Sequence, residues 1–140
     1  MKRTKKNNKG FSLVELIVVV LIMAIIAVAL APQVMKWVNE SRKSADASTY
    51  DSVVAAAQDA LANEKVWKEV TGGTDFTITI NTTEVTNGGG NLFKAEFNKQ
   101  IGGNPQSIKL KQSGATATVT IKAADGTVER TAEPTVGAGN

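Results

Sequence analysis

The sequence predicts an α+β protein: a long N-terminal α-helix, apolar in its first half and amphipathic in its second, packed against a small antiparallel sheet of three or four strands. Three observations predict it. An uninterrupted apolar run extends from Leu16 to Ala31. Apolar residues then recur at helical spacing as far as Leu61. Beyond Gly72-Gly73 the pattern changes to alternating β-branched residues, which is typical of half-buried strands.

The apolar run is long enough to cross a membrane. Counted from Phe11 to Ala31 it would span roughly 30 Å as a helix, which is about the thickness of a bilayer hydrocarbon core. A secretory signal peptide is one interpretation, with Ala29-Leu30-Ala31 as its cleavage site. Glu15 inside the run and Pro32 directly after the supposed cut argue against it. A plain membrane anchor fits the length but leaves Glu15 unexplained.

The positive charge of the chain belongs to its first ten residues. The chain carries 16 Lys and Arg against 13 Asp and Glu, a net charge of +3. Residues 1–10 hold five of those cations, and removing them leaves 11 basic against 13 acidic side chains. Cations clustered before an apolar segment follow the positive-inside rule. A nucleic-acid binder spreads them over a folded face instead, so no direct nucleic-acid partner is predicted.

The composition argues against an enzyme. The chain has no histidine and no cysteine, which removes the usual general base at neutral pH, the thiol nucleophile and the thiolate metal site. Gly88-Gly89-Gly90 lacks the Lys and Ser/Thr of a phosphate-binding loop and is interpreted as a flexible turn. The acids Asp125, Glu129 and Glu133 are close enough to suggest calcium, but they form no dense oxygen-ligand loop. Neither a cofactor nor a metal is therefore predicted.

The amphipathic half of the helix is predicted over residues 33–71. Its apolar stripe is the face expected to meet the sheet, and it consists of Tyr50, Val53, Val54, Ala57 and Leu61. Three acids are interpreted as ordinary solvated positions, namely Asp46, Asp51 and Asp59. Pro32 removes one helical hydrogen bond, so a kink or local melting is expected near residues 28–32, within a helix that continues.

A globular sheet domain is predicted over residues 72–131. Its expected strands cover residues 75–81, 107–112, 116–123 and 127–131, the last two joined by a turn at Asp125-Gly126. A short helix is expected near residues 92–101. The small, glycine-containing residues 132–140 are expected to form a mobile tail.

The junction Lys9-Gly10-Phe11-Ser12-Leu13-Val14-Glu15-Leu16 closely resembles the processing site of type IV pilins and type II secretion pseudopilins. The resemblance covers about the first third of the chain and includes a proline at the end of the apolar run, here Pro32. It implies the pilin fold, cleavage of residues 1–10 after Gly10 by prepilin peptidase, and N-methylation of Phe11. It also implies that Glu15 pairs with the N-terminus of a neighbouring subunit, while residues 11–32 form the membrane helix and filament core.

The function implied by the resemblance is that of a structural filament subunit. Its expected partners are further copies of the same chain in a helical homopolymer, prepilin peptidase, the pilus or secretion assembly platform and the cytoplasmic membrane. The precursor would cross the inner membrane once and the assembled filament would lie at the cell surface. Many Gram-negative pilins close their C-terminal region with a disulfide, so the absence of cysteine favours a Gram-positive or secretion-system relative.

The sequence leaves the role of such a filament open. An adhesion or motility pilin, a secretion pseudopilin and a DNA-uptake pseudopilin share the N-terminal motif. The compact domain favours a major pilin. A single-pass anchor carrying a binding domain that acts alone is the more distant alternative.

Overall fold

The computed structural model describes residues 10–136, and they divide into two compact units, one extending to Val38 and one beginning at Asn39. Helix α1 (Leu13–Leu61) contributes to both units. It remains helical through Pro32, as the expectation of a continued helix requires. Among the described residues, the first unit consists of residues 10–12 and of α1 as far as Val38. We call residues 13–38 the apolar part of α1.

The second unit is built around a four-stranded antiparallel sheet. The elements that follow α1 are α2 (Glu64–Thr71), β1 (Phe76–Ile80), β2 (Val85–Asn87), α3 (Asn91–Gln100), β3 (Ala115–Ile121) and β4 (Val128–Val136). The strand order is β2-β1-β3-β4, and every neighbouring pair is antiparallel. The predicted α+β class is confirmed.

The core lies between the second part of α1 and one face of the sheet. The predicted stripe from Tyr50 to Leu61 is buried, as are Ile78 and Ile80 of β1 and the inward residues of β3. Tyr50 Oη donates a hydrogen bond to the Thr118 carbonyl oxygen at 2.9 Å, which satisfies the one polar atom of this buried side chain. Alternation on β1 and β3 places threonines outward and apolar residues inward.

The prediction of one helix as far as residue 71 is wrong at residues 62–63, where α1 ends and α2 begins. Asn63 has an extended backbone, and its side-chain oxygen accepts the backbone N–H of Lys65. Such an N-cap satisfies a donor that has no partner inside the helix and therefore favours a new start. Val66 and Val70 of α2 are buried.

The predicted strand at residues 107–112 is not formed. A 3-10 turn covers Pro105–Ser107, and the segment after it bonds elsewhere. The carboxylate of Asp46, which is fully buried, accepts the backbone N–H groups of Lys111 and Gln112. The interpretation of Asp46 as a solvated position was therefore wrong, because its α1 site faces this segment. Asp51 is exposed but forms an ion pair with Arg130.

The expected tail is wrong over residues 132–136, which complete β4 and pair with β3. Residues 137–140 lie outside the described residues. The sheet ends in β4 on one side, where two register shifts and Pro134 interrupt the pairing with β3. On the other side it ends in β2, a three-residue strand that the sequence pattern did not indicate.

The turn at Gly88-Gly89-Gly90, which was expected to be flexible, is closely packed before α3. A Cβ atom on Gly89 would overlap the rings of Phe76 and Phe93, and one on Gly90 would overlap the carboxylate of Glu69. That carboxylate accepts the N–H groups of residues 92 and 93 at 3.1 and 2.8 Å. Glu69 of α2 therefore caps the N-terminus of α3.

Candidate functional site

The first turn of α1 contains the acid singled out in the apolar run. Helix α1 begins at Leu13, and the Ser12 carbonyl oxygen accepts the N–H of Leu16 at 3.2 Å. Glu15 Oε2 accepts the backbone N–H of Ser12 at 3.0 Å. Ser12 and Glu15 thus occupy the N-cap and N3 positions, and this hydrogen bond is the glutamate half of a capping box.

Capping is a role for Glu15 that the sequence analysis missed. The signal was present as Ser12-Leu13-Val14-Glu15, a serine followed three residues later by glutamate before an apolar run. The carboxylate also lies at the N-terminal end of α1, where acidic side chains stabilise a helix. Within residues 10–136 the second carboxylate oxygen, Oε1, accepts no hydrogen bond, so it can accept one from another chain.

The predicted cleavage junction precedes the helix. Gly10 and Phe11 belong to no helix or strand, and both are exposed, Phe11 by 88%. A Cβ atom on Gly10 would meet nothing within 4 Å among the described residues. Packing of this part of the chain therefore does not require a glycine at position 10. Residues 1–9 of the predicted leader lie outside the described residues.

The apolar part of α1 presents its side chains outward on every face. Each residue from Phe11 to Val38 is exposed, including the large apolar ones. Within the described residues, α1 is the one helix long and apolar enough to cross a membrane, judged by length and composition. An apolar surface this extensive is stable only in lipid or against other apolar surfaces. Pro32, Lys36 and Trp37 follow at the end of the run.

The three acids considered for calcium have separate partners. Asp125 Oδ1 accepts the N–H of Thr127, Glu129 pairs with Lys122 at 3.7 Å, and Glu133 lies 4.0 Å from Arg130. Residues 10–136 contain no group of three or more acids that could hold a metal ion.

The ion pairs of Lys122 and a cation–π contact of Arg130 shape the electrostatics of the second unit. The N–H of Ala123 and the ammonium of Lys122 together hold the pKa of Asp75 below its usual value. Lys122 in turn has a raised pKa, because Asp75 accepts its hydrogen bond and Glu129 lies nearby. Arg130 lies 4.9 Å from the ring centroid of Tyr50, whose pKa is raised chiefly by burial. All of these contacts join residues of the second unit.

Comparison with known proteins gave one family match. A family model described as the prokaryotic N-terminal methylation motif matches residues 5–31, which is less than a quarter of the chain. No match to the chain was found among curated proteins or solved structures.

The match covers the predicted junction, Glu15 and all of the apolar run as far as Ala31. It supports a precursor of the type IV pilin or pseudopilin-like class that is a substrate of prepilin peptidase, and the long apolar helix fits a membrane anchor. Proteins that carry this motif are structural rather than enzymatic. The chain thus joins the N-terminal methylation motif of type IV pilin-like precursors to an α+β, pilin-like fold.

Proposed function

We propose that this chain is the structural subunit of a type IV pilus-like filament. The observation that carries the proposal is the exposed apolar helix with a single carboxylate in its first turn, placed directly after the Gly10-Phe11 junction. In a filament, the apolar parts of many α1 helices would pack against one another, and the sheet units would form the outer surface. A surface appendage for adhesion or motility is the role we favour, with this chain as the major pilin of a Gram-positive cell.

Cleavage after Gly10 supplies the charge that Glu15 needs. In the precursor the Phe11 nitrogen is a neutral amide, whereas in the mature chain it becomes an N-methylated amino group that carries a positive charge. In the dry core of a filament, this amino group would pair with Glu15 of a neighbouring subunit, because an unpaired carboxylate there is costly. Glu15 Oε1 would accept that contact while Oε2 continues to cap its own helix.

Assembly of this kind is heterologous and open, because a head-to-tail contact that does not close on itself gives a helical fibre. The precursor would span the cytoplasmic membrane once, and an assembly platform would transfer the processed chain from the membrane into the filament. A kink at Pro32 would let the two halves of α1 take different directions in the packed filament.

Two substitutions at Glu15 test the proposal. Glu15→Gln keeps an oxygen that can accept the Ser12 N–H but removes the charge, whereas Glu15→Ala removes both. If the charge pairs between subunits, both variants lose filaments, since breaking a buried ion pair costs about 3–5 kcal/mol. Filament yield from cells that contain the assembly machinery is the measurement, with Asp59→Asn as a control that removes an exposed charge elsewhere.

The outcomes separate assembly from capping. Filaments at the wild-type level in Glu15→Gln would contradict the proposed pairing, and loss in Glu15→Ala alone would assign Glu15 to the helix cap. An anchored domain that acts singly, the more distant alternative, would be indifferent to either substitution. The mass of the mature protein adds an independent test, because the proposal requires a chain that begins at Phe11 and carries one methyl group.

A secretion pseudopilin and a DNA-uptake pseudopilin are the alternative roles within the same class. Filament length distinguishes them from a pilus when this chain is expressed alone with its assembly machinery. Long filaments favour a major pilin.

A further inference from the structure

A basic groove lies in the second unit, beside α1. It has a volume of about 530 Å³ and lies between Arg42, Thr49 and Ser52 of α1, Thr82 after β1, and the segment from Ser107 to Lys111. The groove is distinct from the junction at Gly10 and from the apolar part of α1. A ligand in this groove would therefore be a function separate from filament assembly.

Three cations converge on this groove. Arg42, Lys109 and Lys111 line it, and all three side chains belong to exposed residues. None of them forms an ion pair with another residue between positions 10 and 136, and none of the lining residues is acidic. Among the described residues, the Asp46 carboxylate, which accepts the Lys111 N–H, is the one acid bonded to a residue of this groove. Three cations against one carboxylate leave an excess of positive charge, which attracts anions.

The fold fixes the backbone that presents two of these cations. Leu110 is buried and its N–H donates to the Asn81 carbonyl oxygen at 2.9 Å, while Asp46 binds the next two N–H groups. Anchoring Leu110 inward directs Lys109 and Lys111 outward on either side of it. In an extended segment, residues two apart are separated by about 6.6 Å. The two ammonium groups can therefore contact successive charges along one polymer.

The other polar groups of the groove make charge the main requirement for a ligand. The hydroxyl protons of Thr49, Ser52 and Ser107 already go to main-chain carbonyl oxygens. Donors for a ligand therefore come from the cations and from Thr82. None of the described lining residues is aromatic, so the groove offers no surface on which a base could stack.

We propose that this groove binds the phosphate groups of a phosphodiester polymer through its backbone, without recognising a base. Phosphate suits the site because Arg binds it through a planar fork and Lys binds it as a point charge. The charged backbone is the chemistry that a nucleic acid and a polyol phosphate share. The proposal therefore departs from the expectation of no direct nucleic-acid partner, which considered the cations of residues 1–10 and not those that the fold brings together here.

Binding by the full chain in nonionic detergent tests the proposal, with fluorescence anisotropy of a labelled abasic phosphodiester oligomer and of an oligothymidylate of equal length. Arg42→Gln, Lys109→Gln and Lys111→Gln are combined in one variant. The control combines Lys65→Gln, Lys94→Gln and Lys99→Gln, which changes the net charge equally at exposed positions outside the groove. The leader cations are present in every variant, so the comparison between variants is what counts.

We expect the groove variant to lose affinity and salt dependence together. Each phosphate contact on a single strand contributes about −0.7 to the slope of log K against log salt, so three lost contacts should reduce the slope by about 2. The control should retain the wild-type slope, and both oligomers should bind equally. Equal losses in the two variants, no binding by the wild type, or binding of oligothymidylate alone would overturn the proposal. Should the triple variant fail to fold, Arg42→Gln alone should reduce the slope by about 0.7.

Discussion

Substitution of Asp46 by alanine should destabilise the sheet unit more than any change at an exposed acid. The side chain is fully buried, and its two oxygens accept the N–H groups of Lys111 and Gln112. Hydrogen bonds to a charged group contribute about 1.5–3 kcal/mol each. Residues 111 and 112 are not buried as a whole, so we take the lower end of this range for each donor. We therefore expect a loss of about 3 kcal/mol for the pair.

A loss of this size is large enough to measure. For a domain of about 100 residues, 1 kcal/mol corresponds to roughly 4–8 °C in Tm, so a loss of about 3 kcal/mol in Asp46→Ala should lower Tm by about 12–24 °C. Thermal and urea unfolding of the full chain in nonionic detergent, followed by circular dichroism, gives the change. Hydrogen exchange adds a local measurement, since the amides of Lys111 and Gln112 should lose protection.

Asp59→Ala is the matched control. Asp59 lies on the same helix, is exposed, and its side chain makes no hydrogen bond or ion pair within the described residues. Both substitutions replace aspartate by alanine within α1, so the change in intrinsic helix propensity is the same. If Asp46→Ala costs no more than Asp59→Ala, the carboxylate does not hold the segment after the 3-10 turn, and our account of that segment fails.

Three further predictions concern separate features. Gly90→Ala should displace Glu69 from the N-terminus of α3 and lower the free energy of unfolding by about 1–2 kcal/mol. Glu69→Ala should have a similar effect, and in a double-mutant cycle the two should not add. Because the pKa of folded Asp75 is lowered, its contribution to stability is present above about pH 4 and is lost as the pH falls through the folded pKa. Urea unfolding at a series of pH values should therefore show a smaller acid loss for Asp75→Asn than for the wild type. Gly10→Ala should leave the unfolding temperature unchanged, since nothing packs there, but should prevent removal of the leader, as judged by mass.

The sequence predicted the helices and strands whose buried residues follow a regular spacing. The stripe from Tyr50 to Leu61, the strand around Ile78 and the strand around Val119 were all identified, because burial on one side of an element imposes a fixed spacing. Helix α3 was also identified from its spacing and the glycines that follow it.

What the sequence did not reveal depends on contacts between distant residues. Lys109, Leu110 and Lys111 alternate as a strand would, yet Asp46, more than 60 positions earlier, takes two of the N–H groups that a neighbouring strand would have bonded. Strand β2 has a single buried residue, Val85, and is held by β1 rather than by its own pattern. At the candidate site, Glu15 was singled out because a charge in an apolar run is costly, and its second role as a cap came from a local motif that was overlooked.

The two edge strands of the sheet determine how readily neighbouring copies could aggregate by strand pairing. At one edge β2 offers only three residues for pairing, and at the other β4 is interrupted by two register shifts and by Pro134. Strand edges with these features are poor templates for another strand. If α1 brings many sheet units side by side, each unit would therefore remain a separate folded body instead of fusing with its neighbours through main-chain hydrogen bonds. The outward residues of the sheet could then vary in sequence without the risk of aggregation that an open edge would bring.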